Sequence, residues 1–203
     1  MKLILATHNE HKRREFARLL GEPGGAHGWE LQALPEGVVL PPEDGQTFAE
    51  NAFGKARATA AVTGLLSIAD DSGIAAAALG GAPGVRSARY AGEHSSDSEN
   101  LLKLQREVPA GSALEYICAI AYVDPVVGME KLFEGRCAGR MASAASGARG
   151  FGYDPVFIPE DEPGEQTMAE LSDAQKDAIS HRGRAVRMLS EWLLGGAGAA
   201  TAG

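Results

Sequence analysis

The chain has 203 residues, 44% of them hydrophobic and 23% charged, with a formal net charge of -8. That length and balance suit one globular domain of two lobes, able to bury a core. The acidic balance argues against a general nucleic-acid binder, which needs a basic surface to neutralise phosphates, but leaves room for a small anion held by local Lys and Arg residues. No apolar run reaches bilayer length, and the start of the chain has no signal-peptide pattern, so neither a membrane partner nor export is expected. The cysteines, Cys118 and Cys137, lie in apolar strand candidates without metal-ligand spacing or a disulfide framework, as in a reduced, cytoplasmic protein.

In chain order, Lys2 to Ala6 reads as a first strand. Thr7-His8-Asn9-Glu10-His11-Lys12 is a polar switch into a helix through Leu20, with Phe16, Leu19 and Leu20 on its apolar face and Gly21 and Gly24-Gly25 ending it. A second strand is expected at Glu30 to Leu34, followed by a Pro/Gly/acid loop containing Glu43-Asp44-Gly45. Thr47 with Glu50 forms a capping-box pattern before an alanine-rich helix that carries Asn51, Lys55 and Arg57 and stops at Gly64. Leu65 to Ala69 reads as a short strand with Asp70-Asp71 at its C-terminal end, then Ser72 and a turn at Gly73. Ile74 to Leu79 reads as a separate apolar segment. Gly80 to Gly84 is a loop, followed by Arg86, Arg89 and Tyr90.

A helix from about Ser96 to Val108 should bury Leu101, Leu102 and Leu104. Leu114 to Val123 and Met129 to Cys137 form a hairpin candidate, with Gly135 and Gly139 as bends or bulges. Residues 143 to 152 form a small-residue loop containing Arg149, and Pro155 to Ile158 is a further strand candidate. A short helix near Asp173 to Ala178 precedes Ser180-His181-Arg182. A last amphipathic helix should pack Ala185, Val186, Met188, Leu189, Trp192 and Leu193 on the core, before a disordered Gly/Ala tail from Gly195. Strands and helices in this order imply an α/β fold.

Four constellations carry polar chemistry. Asp70 and Asp71 repel each other unless a cation or a donor offsets the charge, and their hard oxygens suit Mg²⁺. An Asp-Asp-Ser-Gly turn needs no ligand, and these residues alone leave both readings open. Glu43 would join a metal set only if its loop approaches the strand end. Thr7-x-Asn9-x-x-Lys12 places a lysine in a helix first turn, where free N–H groups can hold a phosphate, although an ordinary polar cap explains it as well. Phe151-Gly152-Tyr153-Asp154-Pro155 offers rings for a planar base, or plugs for a core. Lys176 with His181-Arg182 offers donors for a base carbonyl or phosphate, or surface ion pairs. A Ser72/His181 hydrolase is a further alternative, against which stands the absence of a G-x-S-x-G elbow.

Taken together, six separated blocks carry a family resemblance. They are Leu5-Ala6-Thr7-His8-Asn9 with Lys12; Thr47-Phe48-x-Glu50-Asn51-Ala52 with Lys55; Ala69-Asp70-Asp71-Ser72-Gly73; Gly81-Ala82-Pro83-Gly84 with Ser87-Ala88-Arg89-Tyr90; Gly150-Phe151-Gly152-Tyr153-Asp154-Pro155; and Ile179-Ser180-His181-Arg182-Gly183. Over residues 2 to 194 the chain resembles the Ham1/RdgB-like family of inosine/xanthosine triphosphate pyrophosphatases, which act on noncanonical purine nucleotides. The resemblance implies an elongated, two-lobed mixed α/β fold with a substrate cleft between lobes, a homodimer, and hydrolysis of ITP, dITP and XTP to the monophosphate and pyrophosphate.

Carried onto this chain, the resemblance makes Asp71 the proton acceptor and a metal ligand, with Glu43 at the family's acidic metal-associated position. It places the stretch Thr7, His8, Asn9, Glu10, His11 and Lys12 on the triphosphate. It gives Ser72, Phe151, Gly152, Tyr153 and Asp154 substrate contacts, with Lys176, His181 and Arg182 completing the pocket. His8 stands where Gly or Ser is frequent in the family, and Pro41-Pro42 precedes Glu43 where more acidic residues are usual. The implied mechanism is in-line attack of water on the α-phosphorus, with Asp71 orienting the water and Asp70 or Glu43 helping to hold Mg²⁺. Lys12 and Lys55 are the further charge stabilisers. A fixed Arg or His donor matches the six-oxo group of hypoxanthine and xanthine and penalises adenine. A related pyrophosphatase for modified pyrimidine nucleotides, of the Maf type, and a non-catalytic nucleotide-binding module are the competing classes.

Overall fold

The computed structural model describes residues 2–21 and 29–196. The expected Gly24-Gly25 helix stop and the tail from 197 onward lie outside the described residues. The elements in order are β1 (Lys2–Leu5), α1 (Glu10–Leu20), β2 (Glu30–Ala33), α2 (Phe48–Thr63), β3 (Ser67–Ala76), α3 (Asp97–Glu107), β4 (Ala113–Asp124), β5 (Met129–Met141), β6 (Phe157–Pro159), α4 (Asp173–Ile179) and α5 (His181–Gly196). The strands pair in the order β2-β1-β3-β4-β5-β6. β1 runs parallel to both β2 and β3, and β6 is antiparallel to β5, so the sheet is mixed. Neighbours β4 and β5 are joined by four residues, which allows only an antiparallel hairpin. Asp124 closes that turn by accepting from the Val126 and Val127 N–H groups.

The chain divides into two compact units. The first comprises the described residues up to Asp71, residues 119–134 and residues 184–196; the second comprises residues 72–118 and 135–183. One buried cluster of the first unit is built from small side chains: Ala52, Ala56 and Ala60, one turn apart on α2, pack with Ala6, Ala69, Ala121 and Val123, while Leu3, Leu5, Phe16, Ile68 and Ile120 are buried in the same unit. A helix face of alanines lets backbones approach closely, and that closeness brings α2's polar side chains onto β3. The core cluster of the second unit includes Ile74, Leu104, Leu114, Tyr116, Met141, Tyr153, Val156, Phe157, Met168 and Leu171.

Helix starts follow the sequence. Thr47 and Ser96 form reciprocal capping boxes with Glu50 and Glu99, and Ser172 does the same with Gln175. Ser180 accepts from the Gly183 N–H at 3.0 Å, capping the start of α5. α2 stops at Gly64, which takes the left-handed conformation that favours glycine.

Five expectations are corrected. β3 does not end at Ala69 in an Asp-Asp-Ser-Gly turn, and Ile74 does not begin a new segment. The strand is continuous through Asp70, Asp71, Ser72 and Gly73 to Ala76. Gly73 serves close approach instead of a turn: a Cβ there would lie 2.3 Å from Ser87 Oγ and 2.6 Å from the Gly84 carbonyl oxygen. Gly135 and Gly139 do not mark bulges, because odd-numbered residues from Phe133 to Met141 stay buried in unbroken alternation. Gly139 faces Pro159 of β6, where a Cβ would collide with Ile158 and Phe157.

Leu102 and Met188 are exposed, at 53% and 38%. Each lies off its helix's buried stripe, since one residue turns the helix by 100°. Pro155 to Val156 belong to a 3-10 turn over Asp154–Val156, and the strand begins at Phe157. Gly195 and Gly196 continue α5, so the tail cannot begin at Gly195. Cys118 and Cys137 are buried and unbridged, as expected.

Candidate active site

In the first unit, α1, α2, β3 and the loop before α2 bring together Lys12, Glu43, Asn51, Lys55, Asp70 and Asp71. Asn51 and Lys55 stand four residues apart, on one face of α2. Asn51 Nδ2 donates to Asp71 Oδ2 at 2.8 Å. Lys55 Nζ donates to the Asp70 carbonyl at 2.7 Å and pairs with the Glu43 carboxylate. Lys12 Nζ meets Asp70 Oδ2 at 3.1 Å. Asp70 is completely buried, while Asp71 and Lys55 are each 5% exposed.

The cluster is electrically coupled. Burial raises the Asp71 carboxyl above its ordinary pKa, against the lowering pull of Lys55 and Lys12. Burial also opposes charge on Glu43, but Lys55 and Lys12 outweigh it and hold that carboxyl below its ordinary value. Lys55 shows the mirror image: burial works against its charge, and Asp70, Glu43 and Asp71 together raise its pKa. Glu43 therefore turns towards α2 and pairs with Lys55, which in turn bonds the strand at the Asp70 carbonyl, so its side chain is not simply a solvent-facing turn residue. Successive strand residues alternate sides, which separates the two aspartates into different partnerships, Asp70 with Lys12 and Asp71 with Asn51.

The start of α1 is the expected cap. Asn9 Oδ1 accepts from the Lys12 N–H at 3.1 Å, and the Asn9 N–H donates to Thr7 Oγ1 at 3.1 Å. His8, Asn9, Glu10 and His11 are exposed, whereas Lys12 is half-buried against Asp70. Glu10 turns towards its own helix, on Arg13 and Arg14, and the Arg13 guanidinium holds its carboxyl below the ordinary value.

In the second unit, Asp154 is the hub. It accepts from Lys176 Nζ at 2.6 Å, from the Phe151 N–H at 2.9 Å and from Tyr116 Oη at 3.1 Å. Lys176 Nζ and the Arg182 guanidinium stand 5.1 and 5.8 Å from the centre of the Phe151 ring. Arg182, only 1% exposed, donates to Ser72 Oγ at 2.8 Å. A guanidinium cannot take a proton from that hydroxyl, so this contact does not make Ser72 a nucleophile. His181 stacks on Tyr116, with centroids 4.5 Å apart and planes 6° from parallel. Gly152 N–H is taken by Asp97, and Tyr153 Oη donates to the Ser87 carbonyl at 2.7 Å, so Tyr153 works as a core plug. Lys176, His181 and Arg182 are buried, which excludes the surface ion-pair reading.

Sequence reasoning gave no role to Asn51 or Tyr116. A polar residue one turn before Lys55 in an alanine-rich helix was a usable signal for the first. Tyr116 left none, because its role depends on which residues approach its face of β4.

These features define a mixed α/β protein with a buried carboxylate–lysine cluster in its first unit. The Ham1 family model matches residues 3–192. A dITP/XTP pyrophosphatase of Corynebacterium glutamicum strain R is 47% identical over 201 residues, covering 94% of this chain and 96% of the relative. The solved HAM1 protein from Coxiella burnetii superposes with a TM-score of 0.81 at 37% identity, covering 95% of this chain and 98% of that one. The Staphylococcus aureus Ham1 protein gives 0.82 at 34% identity, with coverages of 97% and 100%. The chain belongs to the Ham1 family.

Proposed function

We propose that this protein hydrolyses noncanonical purine nucleoside triphosphates, dITP, ITP and XTP, to the nucleoside monophosphate and pyrophosphate, removing them from the nucleotide pool. The observation that carries the reading is the buried Asp71 carboxylate, raised in pKa and flanked by two lysines, in a chain that matches dITP/XTP pyrophosphatases along almost its whole length. A carboxyl tuned upward by burial is a suitable acceptor for a proton from water. Asp71 orients the water for in-line attack on the α-phosphorus and takes its proton. Lys12 and Lys55, whose ammonium groups are held by Asp70 and Glu43, offset the charge developing on the phosphate oxygens. Thr7 to Lys12 contribute the helix start beneath the phosphates.

The donor chemistry of Asp71, Asp70 and Glu43 fits Mg²⁺. No group of three or more His, Cys, Asp or Glu able to hold a metal occurs among the described residues. The ion would accordingly be held by one or two of these carboxylates together with the substrate's own phosphates and water, a usual arrangement for this metal. When bound, Mg²⁺ supplies charge neutralisation at the phosphates. Ser72, Phe151 and Gly152 with Asp154, Lys176, His181 and Arg182 take the base. The buried donors suit a six-oxo purine, and the Phe151 ring supplies a flat surface. Homodimeric assembly and a cytoplasmic site of action belong to the same reading. The first follows the family resemblance, and the second is consistent with two unbridged cysteines. No helix among the described residues is long and apolar enough to cross a membrane.

The test is pyrophosphate release from ITP, dITP, XTP, ATP, GTP, dUTP and methylated pyrimidine nucleotides, with and without Mg²⁺. Preference for dITP, ITP and XTP is expected. Preference for ATP or GTP overturns the reading, as does binding without turnover, and preference for the pyrimidine nucleotides transfers it to the Maf type.

A further inference from the structure

Asn51 stands at the centre of the first unit's cluster, 5% exposed, and uses both ends of its amide. Its Oδ1 accepts from the Gly45 N–H at 2.8 Å, and its Nδ2 donates to Asp71 Oδ2 at 2.8 Å. A backbone N–H can only donate, so the oxygen must face Gly45 and the amino group must face the carboxylate. The orientation of the amide is therefore set by the protein.

Gly45 lies two residues beyond Glu43. Its φ is outside the left-handed region, so backbone freedom does not explain the glycine. Space does: a Cβ at Gly45 would lie 2.7 Å from Asn51 Oδ1 and 2.9 Å from Glu50 Cβ. The next two backbone N–H groups, of Gln46 and Thr47, are taken by Glu50 Oε2 at 2.6 and 3.3 Å. Three successive N–H groups of the loop thus end on two adjacent side chains in the first turns of α2. One turn later, Lys55 makes a parallel link from Glu43 to the Asp70 carbonyl. The lysine link carries charge, whereas the asparagine link is neutral and can supply only direction.

We propose that Asn51 is a positioning residue for the hydrolysis: its amide fixes the rotation of the Asp71 carboxylate and ties it to the loop that carries Glu43. This rests on Asp71 being the group that orients the attacking water. With Oδ2 held by the amide, Oδ1 has one direction in which to meet the water. Losing the clamp removes one restraint on the carboxylate's rotation about χ2, and a misplacement of about 1 Å costs on the order of 10²-fold in rate.

The experiment compares the full-length chain with Asn51→Ala, Gly45→Ala and Asp71→Asn by steady-state kinetics on dITP, with circular dichroism to normalise each to its folded fraction. Asn51→Ala removes the clamp, and Gly45→Ala crowds it while keeping the asparagine. Both should lower kcat by about 10- to 100-fold while KM stays within about twofold. If Asn51→Ala does not fold, Gly45→Ala alone decides. An inactive Asp71→Asn beside clamp variants that keep kcat within about twofold overturns the positioning role and leaves the Asp71 reading intact. A rise in KM at unchanged kcat overturns it too, because Asn51 would then act in binding. Full activity of Asp71→Asn removes the base itself, and the role of Asn51 with it.

Discussion

Asp71 and Lys55 in the first unit, and Lys176 and His181 in the second, are all 5% exposed, yet the surroundings of the two clusters differ in sign. In the first, Glu43, Asp70 and Asp71 outnumber Lys12 and Lys55, and no aromatic ring enters the hydrogen bonds and ion pairs that join them. In the second, the carboxylate of Asp154 serves Lys176, while Arg182 adds a further cation on the Phe151 ring. Equal burial therefore does not mean equal work. The surplus of carboxylate favours a cation and a proton acceptor, and under the proposed function it would serve the chemical step. The surplus of fixed donors around flat rings favours a neutral, oxygen-bearing planar group, and under the proposed function it would serve recognition of the base.

The comparison is broken most directly at Asp71. Asp71→Asn should cost about 10³-fold in kcat with the fold retained, as expected for loss of a general base; pyrophosphate release and a thermal melt measure the two halves. Lys176→Met should behave differently. It leaves the buried Asp154 carboxylate without its ammonium, and breaking a buried pair in this way costs about 3–5 kcal/mol. Urea denaturation should show that loss, while kinetics show a raised KM and a largely retained kcat. A collapse of kcat equal to that of Asp71→Asn would erase the division of labour.

Tyr116→Phe sharpens the comparison at lower cost. It removes one donor to Asp154 and keeps the ring against His181, so a loss of about 1 kcal/mol is expected, with a rise in KM. The smallest effect is at alkaline pH and involves tyrosines of both units, Tyr122 in the first and Tyr90 and Tyr153 in the second, all held above their ordinary values by burial. Burial raises Tyr90, next to Glu107, and Tyr122 to about 12. Above pH 10 the unfolded chain releases these protons first, so the folded state binds more protons. Stability is fully present below the unfolded value and falls as pH rises from 10 through 12. Denaturation midpoints at pH 8, 10 and 11 should fall in that order, and Tyr90→Phe should flatten part of the drop.

Local rules were legible without coordinates. The capping box at Thr47, the Gly64 stop and the helix start at Ser96 were readable, because each depends on residues within one turn. The chemistry-bearing residues were readable as types, since Asp, Lys, Arg and His at those positions limit what the site can do. Their partnerships were not. Asp70-Asp71-Ser72-Gly73 has turn composition, yet it runs as the middle of β3, because the strand's neighbours and the approach of Ser87 to Gly73 override local preference. Whether Glu43 faces solvent or Lys55 depends on a loop folding back across 12 positions, and the bond from Asn51 to Asp71 spans 20.

The sequence by itself determined the helix ends, the α/β class and the inventory of reactive groups, because these follow from short-range backbone hydrogen bonding and side-chain identity. Tertiary structure decided which carboxylate is paired with lysine, which is clamped by an amide and which aromatic lies beneath the cations. Those choices depend on packing, and packing alone brings distant charges close enough to shift one another.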